Sequence, residues 1–198
     1  MRYTLLLGLL FTLLSCGSSD STSVASGDFS AYELASVANS PLEKATKTTA
    51  NGSLDEEGFV YNGNKTGTWT SYFPDGKVKS STQYVNGQKE GLHLEFNDRC
   101  QITVQATYLA DQLHGQQTKY RHGSRRDEEG EYKNGVLHGV YRSFDKLGKV
   151  QREIHYRDGQ LHGPNIFFNE EGFKTMEYEY QNGEKISGGI IDPPAPAK

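Results

Sequence analysis

The sequence is poor in the residue types that build a deep core or a nucleic-acid-binding surface. Only 34% of its 198 residues are hydrophobic, and it has one tryptophan, two cysteines and six prolines. So low a hydrophobic content argues against a two-layer sandwich with a deep interior. The chain has 21 basic and 25 acidic residues, a net charge of −4, and therefore lacks the basic excess that neutralises phosphates. We expect no nucleic-acid partner.

Sequence motifs of catalysis are also missing. The chain has no nucleophile elbow, no H-E-x-x-H pair, no C-x-x-C pair and no phosphate-binding glycine loop. We therefore expect a protein that is not an enzyme and that needs no cofactor.

Glycine and tyrosine, by contrast, recur at a fixed period. Tyrosines open successive units every 24 residues, and Val60, with Tyr61 beside it, opens a slightly altered first copy. Each of the five complete units has a glycine at its eighth position and an aromatic residue five positions later. The opening residues are Tyr84, Tyr108, Tyr132, Tyr156 and Tyr180; the glycines are Gly67, Gly91, Gly115, Gly139 and Gly163; the later aromatics are Tyr72, Phe96, Tyr120, Phe144 and Phe168. A period of this length predicts a repeat architecture.

Each unit is predicted to be a β-hairpin. Asn-Gly or Asp-Gly follows the opening residue closely in every unit except the third, where Asp111 replaces the glycine. Such pairs favour two-residue hairpin turns because both residues accept positive φ. The predicted fold is all-β, an elongated single-sheet antiparallel meander of five to six hairpin units.

Period-2 alternation within the predicted strands suggests one apolar face and one polar face. We expect all ten aromatic residues named above, the opening tyrosines and the later aromatics, to share the apolar face. Trp69, Tyr141 and Phe167 fall on the polar side, where we interpret them as ordinary exposed aromatics in preference to ligand-stacking residues.

These units resemble MORN-type repeats, in the bacterial variant found in antitoxin-like proteins. The resemblance covers about residues 58 to 188 and is carried best by Tyr132-Lys-Asn-Gly-Val-Leu-His-Gly139 and Tyr156-Arg-Asp-Gly-Gln-Leu-His-Gly163. It implies an elongated meander that serves as a binding or spacing module without chemistry of its own. Asp111, Cys100 and Ser124 replace glycines of the pattern, so their turns are expected to differ in shape.

The N-terminus is interpreted as a lipoprotein signal peptide. Residues 1–15 contain one positive charge followed by an apolar run too short to span a bilayer in the mature protein, and Leu13-Leu14-Ser15-Cys16 resembles a lipobox. The resemblance implies acylation of Cys16 and anchoring to a lipid bilayer. A plain secretory signal with an incidental cysteine is the alternative. Because Gly17 and Ser18, and not an aspartate, directly follow Cys16, the cell envelope location favoured is the outer membrane.

The remaining boundaries follow from composition. Residues 16–57 are polar and serine-rich, which predicts a lipidated, mostly disordered tether with at most one short helix starting at Ser40-Pro41. The repeat domain is predicted at 58–191, and a disordered Pro-rich tail at 192–198.

The histidines suggest a metal site and Cys100 suggests a redox centre, but neither interpretation is preferred. His114, His138 and His162 align in successive units, but equivalent residues would lie about 9.5 Å apart, too far to share a metal. We expect no metal site and interpret each imidazole as bonding its own backbone. Cys100 is interpreted as a turn residue and not as a redox centre.

Charged residues in the third unit are the first candidate for a contact surface. Arg125, Arg126, Glu128 and Glu129 break the repeat pattern, and a salt-linked hairpin is preferred to an active site there.

The apolar face needs a cover, and this need suggests function. Curling of the sheet, tether residues such as Phe29, Tyr32 and Leu34, or a partner protein would each supply one. The sequence therefore predicts a membrane-anchored, non-catalytic protein-interaction or envelope scaffold module. An antitoxin or immunity-like protein bound to a toxin is the alternative, and a hydrolase of envelope polymers is the less favoured one.

Overall fold

The computed structural model describes residues 27–192, and within them it is a single sheet of 14 strands. The strands are β1 Glu33–Ser36, β2 Glu43–Thr48, β3 Leu54–Tyr61, β4 Asn64–Tyr72, β5 Val78–Val85, β6 Gln88–Phe96, β7 Ile102–Leu109, β8 Gln112–Arg121, β9 Arg125–Lys133, β10 Val136–Phe144, β11 Val150–Arg157, β12 Gln160–Phe168, β13 Lys174–Gln181 and β14 Glu184–Ile190. Each strand pairs antiparallel with its chain neighbours only, so β1 and β14 are the two edges. The predicted all-β meander is confirmed. Among residues 27–192 there is no helix of the length and apolarity that crossing a membrane requires.

Two-residue turns join the strands along one side of the sheet. Asn62 and Gly63 between β3 and β4 have φ of 48° and 71°, the positive pair that type I′ turns require. Asp111 keeps this conformation with φ of 65°, so the missing glycine does not change the turn. Each of the five turns that follow Asn62-Gly63 on this side also bonds to the preceding hairpin: the N–H of Gly87, for example, donates to the carbonyl of Lys65 at 2.8 Å. These bonds hold successive hairpins in one row.

Longer turns join the strands on the other side. Gly52 supplies the left-handed residue of the first and Gly76 that of the second, each with φ of 83°, and Cys100 takes the same role in the third with φ of 58°. The predicted change of shape is therefore wrong at Cys100. It is right at Ser124, where Gly123 and Ser124 both have positive φ and β8 and β9 extend to an additional pair, Arg121 with Arg125.

The eighth-position glycines are required by the backbone. Gly67, Gly91, Gly115, Gly139 and Gly163 have φ between 67° and 125°. Each lies beside an irregularity in the ladder, as where Glu57 pairs with Thr70 but Phe59 pairs with Thr66. Residues with a Cβ rarely adopt this conformation, which explains why the position is glycine in all five units.

The prediction that the ten aromatic residues share one face is wrong. Cross-strand partners point to the same side, so the pairing of Trp69 with Thr82 places Trp69, Thr82 and Tyr84 on one face, and Tyr72 on the other. We call the first the tyrosine face and the second, which also carries Leu94, the leucine face. The alternation within each strand is as predicted. The sequence analysis assumed a register between neighbouring strands that is wrong by one residue. A shift of one residue moves each side chain of a strand to the opposite face of the sheet.

Trp69 is buried, which corrects the prediction that it is an ordinary exposed aromatic. Its side chain is 2% exposed and packs with Ala45 and Val60. Its ring covers Gly58, and its indole N–H donates to the carbonyl of Phe59 at 3.0 Å. Phe29 and Tyr32 pack against the cluster from outside, so part of the predicted tether does cover this end of the tyrosine face.

The predicted tether boundary at residue 57 is also corrected. β1, β2 and half of β3 lie before it, and Ser40-Pro41 belongs to the β1–β2 connection, closed by the N–H of Val37 donating to Leu42, and not to a helix. Ala45 precedes Trp69 by 24 residues and pairs with Gly58, so the repeat continues toward the N-terminus. Because no tyrosine opens this N-terminal unit, the sequence analysis did not recognise it as a repeat. Residues 1–15, Cys16 and nearly all of the predicted 192–198 tail lie outside the described residues.

Candidate functional site

The tightened turn of the third unit borders a depression in the leucine face. We call it the basic groove; its volume is about 540 Å³. It is lined by Asn97, Thr103, Tyr120, Arg121, His122, Arg125, Asp127 and Lys146. Because β8 and β9 extend beyond the length of their equivalents, they carry Arg121 and Arg125 outward to form its wall.

Basic side chains outnumber acidic ones in the basic groove. Arg121 forms an ion pair with Asp127 and donates to the carbonyl of Phe144 at 3.1 Å. Arg125 donates to the carbonyl of Lys146 at 2.7 Å. Within residues 27–192, neither Arg125 nor Lys146 forms an ion pair with a carboxylate. Two cations therefore remain available to an acidic ligand.

The apolar trough is the second depression, about 450 Å³, and it lies one unit away on the same face. Its lining is Thr70, Val78, Ser81, Leu94, Phe96 and Cys100. Val78, Leu94 and Phe96 are only half-buried, and the Cys100 residue at its rim is exposed. The trough can accept an apolar side chain and offers two hydroxyl groups.

The four predicted contact residues do not form one patch. Arg125 lines the basic groove, whereas Arg126 bonds Glu129 at 3.0 Å and its guanidinium lies 4.4 Å from the centre of the Phe144 ring. The Glu128 side chain lies on the tyrosine face and forms an ion pair with Lys119 at 3.0 Å. The predicted salt-linked hairpin is present, but it is divided between the two faces.

Arg126 and Glu129 begin a ladder of alternating charges across β9, β10 and β11. Arg142 donates to Glu129 at 3.3 Å and to Glu153 at 2.7 Å, and Nε2 of His155 lies 3.3 Å from Glu153. Burial raises the pKa of Glu153, but the bonds from Arg142 and His155 outweigh it and hold that pKa below its ordinary value. Because each charge in the ladder has a partner, it stabilises strand pairing and offers little to a ligand.

A hydroxyl–imidazole–carboxylate chain lies on the tyrosine face, and the sequence analysis missed it. Thr82 Oγ1 lies 2.8 Å from Nδ1 of His93, whose Nε2 lies 3.2 Å from Glu95. Thr82 and His93 are 7% and 9% exposed, and neither lines one of the two depressions described above. The chain therefore satisfies polar groups that the sheet buries. The spacing could have indicated that His93 is buried, since it stands 24 residues after the buried Trp69 and so occupies the equivalent position in the next unit.

One of the three aligned histidines, His138, connects neighbouring units, whereas the buried Nδ1 atoms of His114 and His162 have no hydrogen-bond partner among residues 27–192. Nδ1 of His138 lies 3.0 Å from the Asp158 carboxylate and accepts from the Asp158 N–H at 3.3 Å. This contact reaches the next hairpin and corrects the prediction of a bond to the residue's own backbone. Among residues 27–192, no three His, Cys, Asp or Glu residues are grouped so as to hold a metal ion.

Comparison with known proteins agrees with the repeat pattern. No curated protein matches the chain. Residues 65–86 and 137–158 match a family model described as the MORN repeat variant. The two matches begin 137 − 65 = 72 residues apart, which is three times the repeat of 24 residues. Both therefore begin at the same position within a repeat unit. Two segments of this 14-stranded meander are thus similar to the MORN repeat variant, which indicates a repeat protein with a binding or scaffold role.

Proposed function

We propose that the protein is a lipid-anchored, non-catalytic scaffold of the bacterial cell envelope that binds a protein partner through its sheet. The observation that carries this proposal is the pair of open depressions on the leucine face: a basic groove beside the tightened turn of the third unit, where the repeat departs from its own pattern, and an apolar trough one unit away. A regular sheet would present the same surface in each unit. A departure that creates a distinct surface is typical of a contact site.

Anchoring through acylated Cys16 is the second part of the proposal. The polar residues that follow Cys16 would hold the sheet away from the membrane, with the outer membrane as the expected location. The chain as a whole has a net charge of −4, so direct attraction of the sheet to anionic lipid is not expected to contribute.

The anchor is tested by replacing each of the two cysteines separately. Cys16→Ser is expected to abolish incorporation of labelled palmitate and to move the protein into the soluble envelope fraction. Cys100→Ser is the matched control, and it should leave both the label and the membrane fraction unchanged. Palmitate label retained by Cys16→Ser would contradict anchoring at this residue.

Partner binding is tested by crosslinking in intact cells, followed by pull-down and mass spectrometry. We expect a protein to be recovered in stoichiometric amount. If that protein is toxic when produced alone, the function is neutralisation of a toxin. Recovery of lipid or peptidoglycan fragments without any protein would contradict the scaffold proposal.

A further inference from the structure

The basic groove and the apolar trough are neighbours along the leucine face. Phe96 lines the trough, and the next residue, Asn97, lines the groove. In the same way Ile102, the strand partner of Phe96, is followed by the groove residue Thr103. Equivalent positions in successive hairpins lie about 9.6 Å apart, which is the length of about three extended residues. One bound chain can therefore reach both depressions.

We propose that the two depressions form one composite site, which binds an extended peptide segment of a partner protein that has an apolar residue and acidic residues about three positions apart. The proposal rests on the scaffold function above and adds the chemistry of the partner.

Charge supports the acidic part of this ligand. Among the residues that line the basic groove, three cations, Arg121, Arg125 and Lys146, outnumber one carboxylate, Asp127, so the charge of the lining is 3 − 1 = +2. Asp145 and Glu128 lie outside the lining and act electrostatically on Arg121. The chain as a whole is negative, so this excess is a local feature. Arginine presents a planar fork that binds a carboxylate through two parallel hydrogen bonds. Within the described part of the chain the Arg125 guanidinium makes one hydrogen bond, to the carbonyl of Lys146, and its other N–H groups are available to a ligand.

The trough supports the apolar part. Val78, Leu94 and Phe96 are half-buried, and an incoming leucine or phenylalanine would complete their burial. Burying such a side chain contributes about 1.5 to 3 kcal/mol, enough to anchor a peptide that a few exposed charges alone would hold weakly.

A peptide fits this surface better than other polyanions do. A nucleic acid needs a longer row of cations, whereas the cationic excess here is confined to one unit. The floor of the site is formed by paired strands, so the ligand must lie across them and bind through side chains, not as an added strand.

The test uses the full-length protein in detergent and short dye-labelled peptides, with binding measured by fluorescence anisotropy. The parent peptide has leucine or phenylalanine at one end and aspartates at the other, and both orders are made. Its controls replace the aspartates by asparagine or the apolar residue by serine. We expect the parent to bind in one order, and each control to raise Kd by at least about tenfold, or about 1.4 kcal/mol.

Variants of the protein locate the site. Arg125→Glu and Leu94→Thr are each expected to raise Kd by at least about tenfold. Lys149→Glu is the matched control, since Lys149 is exposed and stands 24 residues after Arg125, and it should leave Kd unchanged. Thermal unfolding of each variant checks that it folds. Equal weakening by Lys149→Glu, or equal binding of the parent and its asparagine control, would overturn the composite site.

Two further results separate this inference from the scaffold proposal. If crosslinking in cells recovers a protein whose yield is unaffected by Arg125→Glu and Leu94→Thr, the scaffold function stands and the composite site is wrong. If vesicles containing phosphatidylglycerol bind through Arg125 and Leu94 and compete with the peptide, the site is a lipid site and the peptide assignment is overturned.

Discussion

At the scale of single residues, the tyrosine face is packed by pairing large side chains with small ones. Gly58 lies under Trp69, Gly130 is the strand partner of Tyr141, and Ala106 pairs with Gln117. Neither Gly58 nor Gly130 has positive φ. Glycine is therefore needed at these two positions for space and not for backbone conformation.

Gly58→Ala is therefore expected to destabilise the N-terminal end of the sheet. The added Cβ would lie 2.3 Å from the Trp69 ring, which is itself held by Phe29, Tyr32 and Tyr84. We expect a loss of about 3 kcal/mol in the free energy of unfolding, measured by circular dichroism, and a red shift in the emission of Trp69, the sole tryptophan. The control is Gly189→Ala, because Gly189 also lacks positive φ and no atom lies within 4 Å of its added Cβ. A similar loss in both variants would show that crowding by the tryptophan is not the cause.

Single residues also show how far the sequence predicts the structure. Positive φ at the Asn-Gly turns follows from local chemistry, and that prediction is confirmed. The period of 24 residues located the eighth-position glycines, but their positive φ was not predicted. The burial of Trp69 depends on which residue lies opposite, and Gly58 has no side chain to reveal that contact. The basic groove depends on a turn tightened at Gly123 and Ser124, for which the sequence offered only a missing glycine.

At the scale of elements, each strand serves both faces. β10 places Tyr141 on the tyrosine face, opposite Gly130, and Arg142 on the leucine face, between Glu129 and Glu153. Replacing a residue on one face therefore leaves the contacts of the other in place, provided that the strand stays paired. This separation permits the two faces to be tested independently.

Tyr141 and Tyr72 provide such a test at alkaline pH. Burial, together with Glu128, raises the pKa of Tyr141 from 10.0 to about 12, and the hydrogen bond to Glu57, with burial, raises that of Tyr72 to about 12. A raised pKa means that the stabilisation is complete below pH 10 and is lost as the pH rises through 12. We expect Tyr141→Phe and Tyr72→Phe each to remove one phenolate step near pH 12, measured by ultraviolet absorbance, and to flatten the decline in stability between those values.

Glu57→Gln is the control for this assignment. It removes the main cause of the raised pKa at Tyr72, on the leucine face, and leaves the surroundings of Tyr141 unchanged. One phenolate step should then move toward pH 10 while the other stays. Movement of both steps, or of neither, would contradict the separation of the two faces.

At the scale of the whole molecule, the protein is one layer whose units contact only their neighbours. No second sheet covers either face among residues 27–192, and each of the 14 strands pairs only with those next to it in the chain. Stability is then approximately a sum of units and of the interfaces between them. The same arrangement leaves both broad faces open, apart from the end of the tyrosine face that Phe29 and Tyr32 cover.

Deletion of one complete unit tests this additive description. Removing residues 88–111 takes out 111 − 88 + 1 = 24 residues and joins Gly87 to Gln112, which occupies the position of Gln88 one unit later. We expect a folded sheet of 12 strands, with its denaturant m-value, measured by urea unfolding, reduced by roughly one seventh in proportion to the surface lost. Removing residues 88–110 instead shifts every later residue by one, and this exchanges the two faces beyond the junction. That variant should fail to fold cooperatively. If both deletions fold equally well, the register between units does not specify the sheet, and if both fail, the units are not independent enough for their stabilities to add.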